Sequence, residues 1–142
     1  MPVHFYFPAG PVPLKNRKQL KQFIIHLFDN EGYTLNDMSY VFCTDDEMLP
    51  LNQHYLQHQT YTDILTFDLS SGSDQIQAEI YISIERVREN AKIFQTSIKE
   101  EVHRVIFHGA LHLCGYNDQT ARQKKQMRAK ENEYLQAYFQ AL

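Results

Sequence analysis

The sequence predicts an α+β fold, a single layered domain over residues 1–142 in which a small mixed four-stranded sheet packs with about five helices. Three observations carry this. Strand-like and helix-like runs follow one another in the order βαβ(α)ββααα. No internal repeat, low-complexity tract or Gly/Ser linker divides the chain. At 142 residues, 43% hydrophobic and 22% charged, it can bury one core without a disulfide framework or a structural metal.

Taken in order, residues 3–7 (VHFYF) are β-branched and aromatic, stop at Pro8, and read as a strand. From Leu14 to about Asp29, the residues Leu20, Phe23, Ile24, Leu27 and Phe28 recur at helical spacing, and Gly32 follows as a stop. Met38, Tyr40 and Phe42 alternate with polar neighbours in a second strand, Leu35 to Cys43. Thr44 with Glu47 forms a capping box for a short helix carrying Met48, Leu51, Asn52 and Tyr55, with Pro50 near its first turn.

Asp63 to Leu69 and Ala78 to Ile84 read as a hairpin joined by the SSGSDQ turn. Helix runs from Ser83 through Phe94. Ser97 with Glu100 caps the next helix, which bears Val102, Val105, Ile106, Ala110 and Leu113 and ends at Gly115. Thr120 with Gln123 caps a last one toward Leu142, bearing Met127, Tyr134, Leu135 and Phe139.

Composition narrows the function classes. Cys43 and Cys114 are too few for a disulfide framework and lie far from any CxxC spacing, so a reducing cytoplasm is the simplest setting. Neither a signal peptide nor a run of about 18 apolar residues is present, which disfavours secretion and membrane spanning. With 14 basic and 17 acidic residues the formal charge is -3, which excludes a uniformly polycationic nucleic-acid coat but not a local basic patch.

The chemistry concentrates in His108-Gly109-Ala110-Leu111-His112-Leu113-Cys114-Gly115-Tyr116-Asn117-Asp118. Histidines four apart on a helix share one face, close enough for both imidazoles to bind one ion. Gly115 can adopt the left-handed conformation that turns the chain back, so that Asp118 supplies an oxygen. A His108, His112, Asp118 set leaves a fourth position for water, the pattern of a catalytic zinc. An HxxxH pair alone can equally be two partly exposed helix histidines; the glycine turn and the acid favour the metal. Cys114, two positions past His112, reads as a small core residue. A zinc-protease HExxH helix would carry glutamate after its first histidine. Gly109 stands there, which disfavours peptide hydrolysis by that route.

HGALHLCGYND (His108 to Asp118) resembles the HGxLHLxGYDH signature of the YbeY family of metal-dependent endoribonucleases, also called rRNA maturation factors. LNQHYLQHQTYTDILTF (Leu51 to Phe67) is similar to that family's LNxxYRxxDxPTDVLSF, and AEIYIS (Ala78 to Ser83) to its GDIxIS strand, in the same order and spacing. The resemblance implies a single-domain α+β fold and one bound Zn2+, other divalent metals being possible. It further implies single-strand-specific, metal-dependent cleavage in late 16S ribosomal RNA processing and ribosome quality control. The expected partners are ribosomal RNA and the small ribosomal subunit or its assembly factors, with no membrane and no DNA. A non-catalytic assembly factor with a structural metal is the alternative, and a zinc protease the distant one.

The sequence departs from the family pattern at Leu56 (for arginine), Gln59 (for aspartate), Tyr61 (for proline), Ala78-Glu79 (for glycine-aspartate) and Asp118 (for the third histidine). Carboxylate oxygen binds zinc at a similar distance to imidazole but lowers the charge of the site. Asp118 is preferred over Asn117, whose amide is the weaker donor and falls one position off the motif.

Other residues carry two readings each. Arg104, one turn before His108, either meets a phosphate or forms a helix salt bridge. Glu79 is either a partner of a ligand histidine or an edge-strand carboxylate facing solvent. His54 and His58 lack a glycine turn and a third ligand and read as solvent-facing. His4, His26 and His103 read as structural or surface residues. Nine of the 14 basic residues lie in two stretches: Lys15, Arg17, Lys18 and Lys21, then Arg122, Lys124, Lys125, Arg128 and Lys130. If the two helices lie side by side they make a positive track for RNA; otherwise they are ordinary solvated faces.

Overall fold

The computed structural model describes residues 1–51, 63–72 and 75–141. The elements are β1 (Val3–Tyr6), α1 (Arg17–Asn30), β2 (Thr34–Cys43), α2 (Asp45–Leu51), β3 (Ile64–Asp68), β4 (Gln75–Ser83), α3 (Ile84–Ile93), α4 (Ile98–Leu113) and α5 (Ala121–Ala141). The expected α+β order holds, with a mixed four-stranded sheet and five helices among the described residues. His54, His58, Leu56, Gln59 and Tyr61 lie outside the described residues, as do Asn52 and Tyr55 of the second expected helix.

The sheet order is β1-β2-β4-β3. β1 runs parallel to β2 and β2 to β4, while β3 and β4 form the antiparallel hairpin that the turn signal predicts. Because side chains alternate across a strand, Met38, Tyr40, Phe42, Ala78, Ile80 and Ile82 share one fully buried face, covered by helices. The other face holds a smaller cluster of Cys43, Leu65 and Met48, with Tyr81 and Phe67 packed against it. β4 starts at Gln75, three residues before the expected start, because Gln75 to Gln77 continue its pairing with β2.

α4 is the central helix. Its apolar residues face every direction, as a helix enclosed by other elements requires, and Val102, Ile106, Phe107, Ala110 and Leu111 are almost wholly buried. Gly109 brings it close to the sheet: a Cβ there would stand 2.9 Å from Ile80 Cδ1 and 3.0 Å from Ile64 Cδ1. Tyr40 ties the sheet to the same helix by donating its hydroxyl to the Ile106 carbonyl at 2.9 Å.

The helix starts follow the sequence signals. Thr44 Oγ1 accepts from Glu47 N at 3.1 Å while Thr44 N donates back to Glu47 Oε1 at 3.0 Å. Thr120 and Gln123 exchange the same pair of bonds. Ser97 caps α4 through Glu100 N at 3.0 Å. α1 begins at Arg17, three residues later than expected, because Asn16 adopts a left-handed conformation (φ 55°) that the helix cannot include. No described helix is long and apolar enough to cross a membrane.

Candidate metal centre

His108 and His112 project from the last two turns of α4. Gly115, at φ +96°, ends that helix in a Schellman turn: Tyr116 N bonds the Leu111 carbonyl at 3.1 Å and Gly115 N the His112 carbonyl at 3.0 Å. The turn is anchored by Tyr116, whose hydroxyl donates to Glu31 Oε1 at 2.8 Å; the other oxygen of Glu31 accepts from Tyr134 of α5. Held this way, the chain doubles back and delivers Asp118 to the histidines.

His108 Nε2 and His112 Nε2 lie 3.0 Å apart, and Asp118 Oδ2 lies 3.3 Å from the first and 3.5 Å from the second. An ion holding each donor at about 2.0 to 2.1 Å in tetrahedral geometry sets them roughly 3.3 to 3.4 Å apart. The triangle therefore has the size that such an ion requires. Among the described residues, these three form the one group of His, Cys, Asp or Glu side chains able to hold a metal ion.

Glu131 of α5 completes the arrangement, and sequence reasoning missed it. Its Oε2 sits 2.6 Å from His108 Nδ1, which places the ring proton on Nδ1 and leaves the Nε2 lone pair for the centre. Its Oε1 accepts from Arg104 Nη1 at 2.9 Å, and Arg104 Nη2 donates to Asn132 at 2.7 Å. Arg104 thus takes the salt-bridged of its two readings; it is buried, with Nη1 and Nη2 bonded to α5 and Nε without a partner among the described residues.

Electrostatics follow from these contacts. Burial pushes the His108 pKa down, but the hydrogen bond to Glu131 and the charges of Glu131, Asp118 and Asp63 outweigh it and hold it above the usual histidine value. Burial and the neighbouring His108 charge hold His112 below that value. Glu131 is raised by burial, yet its bonds to His108 and Arg104 bring it below the ordinary carboxylate range. Asp63, which borders the same cleft, is pushed up chiefly by burial.

The other candidates fall away from the centre. Glu79 is on β4, an interior strand, and points to the opposite sheet face from Ile80, which meets α4; its hydroxyl neighbour is Tyr81, at 3.5 Å. It is neither a partner of a ligand histidine nor an edge-strand residue. Burial pushes the Cys114 thiol up to about 12, the state of a core residue. His103 is buried, bonded to the Lys99 carbonyl at 2.7 Å and packed on Tyr138 and Phe139. His4 faces Asp37 at 3.1 Å and His26 sits beside Phe23.

Two clefts meet at Asp118. One, of about 390 Å³, is bordered by His108 together with Asp63, Phe94, Glu101, Lys124 and Arg128. The second, of about 510 Å³, runs along β3 past His112 and Asn117. The basic residues do not form one continuous track. α1 and α5 lie side by side but antiparallel, since Asn30 at the end of α1 reaches Tyr134 while Phe23, earlier in α1, meets Tyr138. The cations of α1 consequently sit by β1, with Arg17 over Phe7 and Lys21 over Phe5. Of those on α5, Lys124 and Arg128 border the cleft that holds His108.

The family model described as Endoribonuclease YbeY matches residues 11–139. Curated relatives named Endoribonuclease YbeY include one from Cytophaga hutchinsonii, 41% identical over 133 residues, covering 94% of this chain and 93% of the relative. Another, from Flavobacterium psychrophilum, is 47% identical over 109 residues, 77% of each chain. A solution structure of a Thermotoga maritima protein superposes with a TM-score of 0.65 at 26% identity, covering 98% of this chain and 90% of that one.

Proposed function

This chain belongs to the endoribonuclease YbeY family, and on that premise we propose that it is a metal-dependent endoribonuclease that hydrolyses single-stranded segments of ribosomal RNA during maturation of the small subunit. The observation that carries the metal dependence is the His108, His112, Asp118 triangle, whose sides match a tetrahedral ion. Zinc fits the mixed imidazole and carboxylate donor set, and manganese is the second candidate. Two unpaired, buried cysteines suit a reducing cytoplasm.

His108, His112 and Asp118 would hold a divalent ion, which would supply Lewis-acid chemistry toward a phosphoryl oxygen and a water. The remaining work belongs to the chain. Glu131 keeps His108 in the tautomer that presents Nε2. Lys124 and Arg128, on the wall of the His108 cleft, draw the RNA backbone toward the centre. Asp63 borders the same cleft and holds a proton at higher pH than an ordinary carboxyl, which suits it to carry a proton to or from the reacting oxygens.

The test is cleavage of structured ribosomal RNA fragments by the purified chain with zinc or manganese added, after chelation, and in His112→Ala and Asp118→Ala. Metal-dependent cleavage that both variants lose is expected. Cleavage unchanged in both overturns the reading, and metal binding without any cleavage would favour an assembly factor with a structural metal.

A further inference from the structure

A separate cavity of about 240 Å³ lies where α1 begins beside α4 and α5; exposed Lys15, Asn16 and Lys99 form its rim and the buried His103 and Tyr138 its floor. His103 precedes His108 by five residues, which sets the two imidazoles about 140° apart round α4, so the cavity opens away from the metal ligands. No acidic side chain borders it, and among the described residues neither lysine makes an ion pair. Asn16 is the N-cap of the 14-residue α1, yet its side chain makes no capping bond and no acid stands in the first turn. The first-turn N–H groups of such a helix carry partial positive charge to the rim.

The floor indicates which anion. His103 is only 2% exposed, its ring held against Tyr138 at 5.4 Å and Phe139 at 5.0 Å. Its Nδ1 lies 2.7 Å from the Lys99 carbonyl, which only accepts, so the proton sits on Nδ1 and Nε2 keeps a lone pair. Burial holds the ring below the ordinary histidine pKa despite that bond, which keeps it neutral. Nε2 has no hydrogen-bond partner among the described residues, yet it is not sealed from solvent; in a ring this buried, the opening is the cavity. A bare acceptor beside two ammonium groups suits an anion that also carries an O–H, as a phosphate group does near neutral pH and sulfate does not. The volume is below the roughly 300 to 1,000 Å³ of pockets for drug-sized ligands and suits a single such group.

We propose that this cavity is a phosphate site separate from the metal centre, Lys15 and Lys99 meeting the negative oxygens and His103 Nε2 accepting from the phosphate hydroxyl. The group arrives either as free monohydrogen phosphate or as a monoester at the end of an RNA chain. A backbone diester fits poorly, since it has one charge and no O–H to give. The site does not depend on the nuclease reading: it stands whether or not the chain cleaves RNA.

The test follows the imidazole nitrogen resonances of the zinc-supplemented chain, isotope-labelled at histidine, as inorganic phosphate is added at constant ionic strength. Shifts of His103 report this cavity, and shifts of His108 and His112 report the metal centre. His103 Nε2 is expected to shift and approach saturation by about 10 mM phosphate, where a site of millimolar Kd is mostly filled. Sulfate, which matches the charge of monohydrogen phosphate but lacks the O–H, and dimethyl phosphate, a diester, are each expected to bind at least about 10-fold more weakly. Lys15→Ala and Lys99→Ala, at exposed positions where folding is not at stake, are each expected to weaken phosphate about 10-fold. Chelation of the metal is expected to leave the His103 response in place. Uridine 5′-monophosphate and uridine distinguish the sources: a response to the monophosphate as strong as to phosphate supports a chain end, a response to inorganic phosphate alone supports the free ion, and either upholds the site. A His103 resonance that phosphate does not move, sulfate bound as tightly as phosphate, full affinity in both lysine variants, or a response lost on chelation overturns it.

Discussion

Glu131 Oε2 lies 2.6 Å from His108 Nδ1, so a carboxylate on the last helix orients a candidate ligand histidine on the central one. The other oxygen of that carboxylate holds the buried Arg104, which makes Glu131 at once a support for the centre and the counter-charge that lets Arg104 be buried.

Glu131→Ala is therefore expected to act on both. Zinc affinity should fall about 10- to 100-fold through loss of the histidine's partner. Stability should fall by about 3 to 5 kcal/mol, because Arg104 is left as an uncompensated buried charge. Competition with a chelating dye and thermal melting read the two effects separately. Full zinc affinity in the variant would contradict the assigned role.

Asp118→Ala should abolish stoichiometric zinc, measured by metal analysis, whereas Asp118→His, which restores the three-histidine pattern, should retain it. Zinc in Asp118→Ala equal to the parent would place the third ligand elsewhere.

The apparent zinc affinity should rise with pH. Burial lowers the His108 pKa, but Glu131, Asp118 and Asp63 outweigh it, so the proton that the ion must displace is held to higher pH than on an ordinary histidine. Affinity is lost as pH falls below that raised value and levels off above it. A dye competition series from about pH 5.5 to 8 checks the slope, and a flat profile across that window refutes it.

Gly109→Glu would install the residue that a zinc-protease helix carries, yet no peptidase is expected. The new Cβ meets Ile80 and Ile64 at about 3 Å and the carboxylate enters an apolar core. The expected outcome is a loss of about 3 kcal/mol or more, seen as a lowered melting temperature, with no casein turnover. A stable, zinc-loaded variant would show that the helix can lift from the sheet.

Lys124→Ala should lessen the dependence of RNA affinity on salt by about 0.7 in the log–log slope, whereas Lys21→Ala, whose ammonium lies over Phe5 of β1, should leave it unchanged. Equal effects of the two would restore a track shared by both helices.

Much of this protein was legible locally. The 3.6-residue period of α4, the capping residues Thr44, Ser97 and Thr120, and the alternation in β2 and β4 are consequences of backbone geometry that a short window of sequence contains. The clustering of the candidate ligands was legible for the same reason: His108 and His112 share a helix face by spacing, and Gly115 reverses the chain within a few residues of Asp118. Tertiary packing decided what no window holds. It placed Glu131, on another helix, against His108, paired Arg104 with that same carboxylate, and turned Glu79 to the far face of an interior strand. It also ran α5 antiparallel to α1, which separates two basic stretches that look alike in sequence. Periodicity states which side of an element is apolar, but which elements those sides meet, and in what direction, is settled only when the whole core closes around α4.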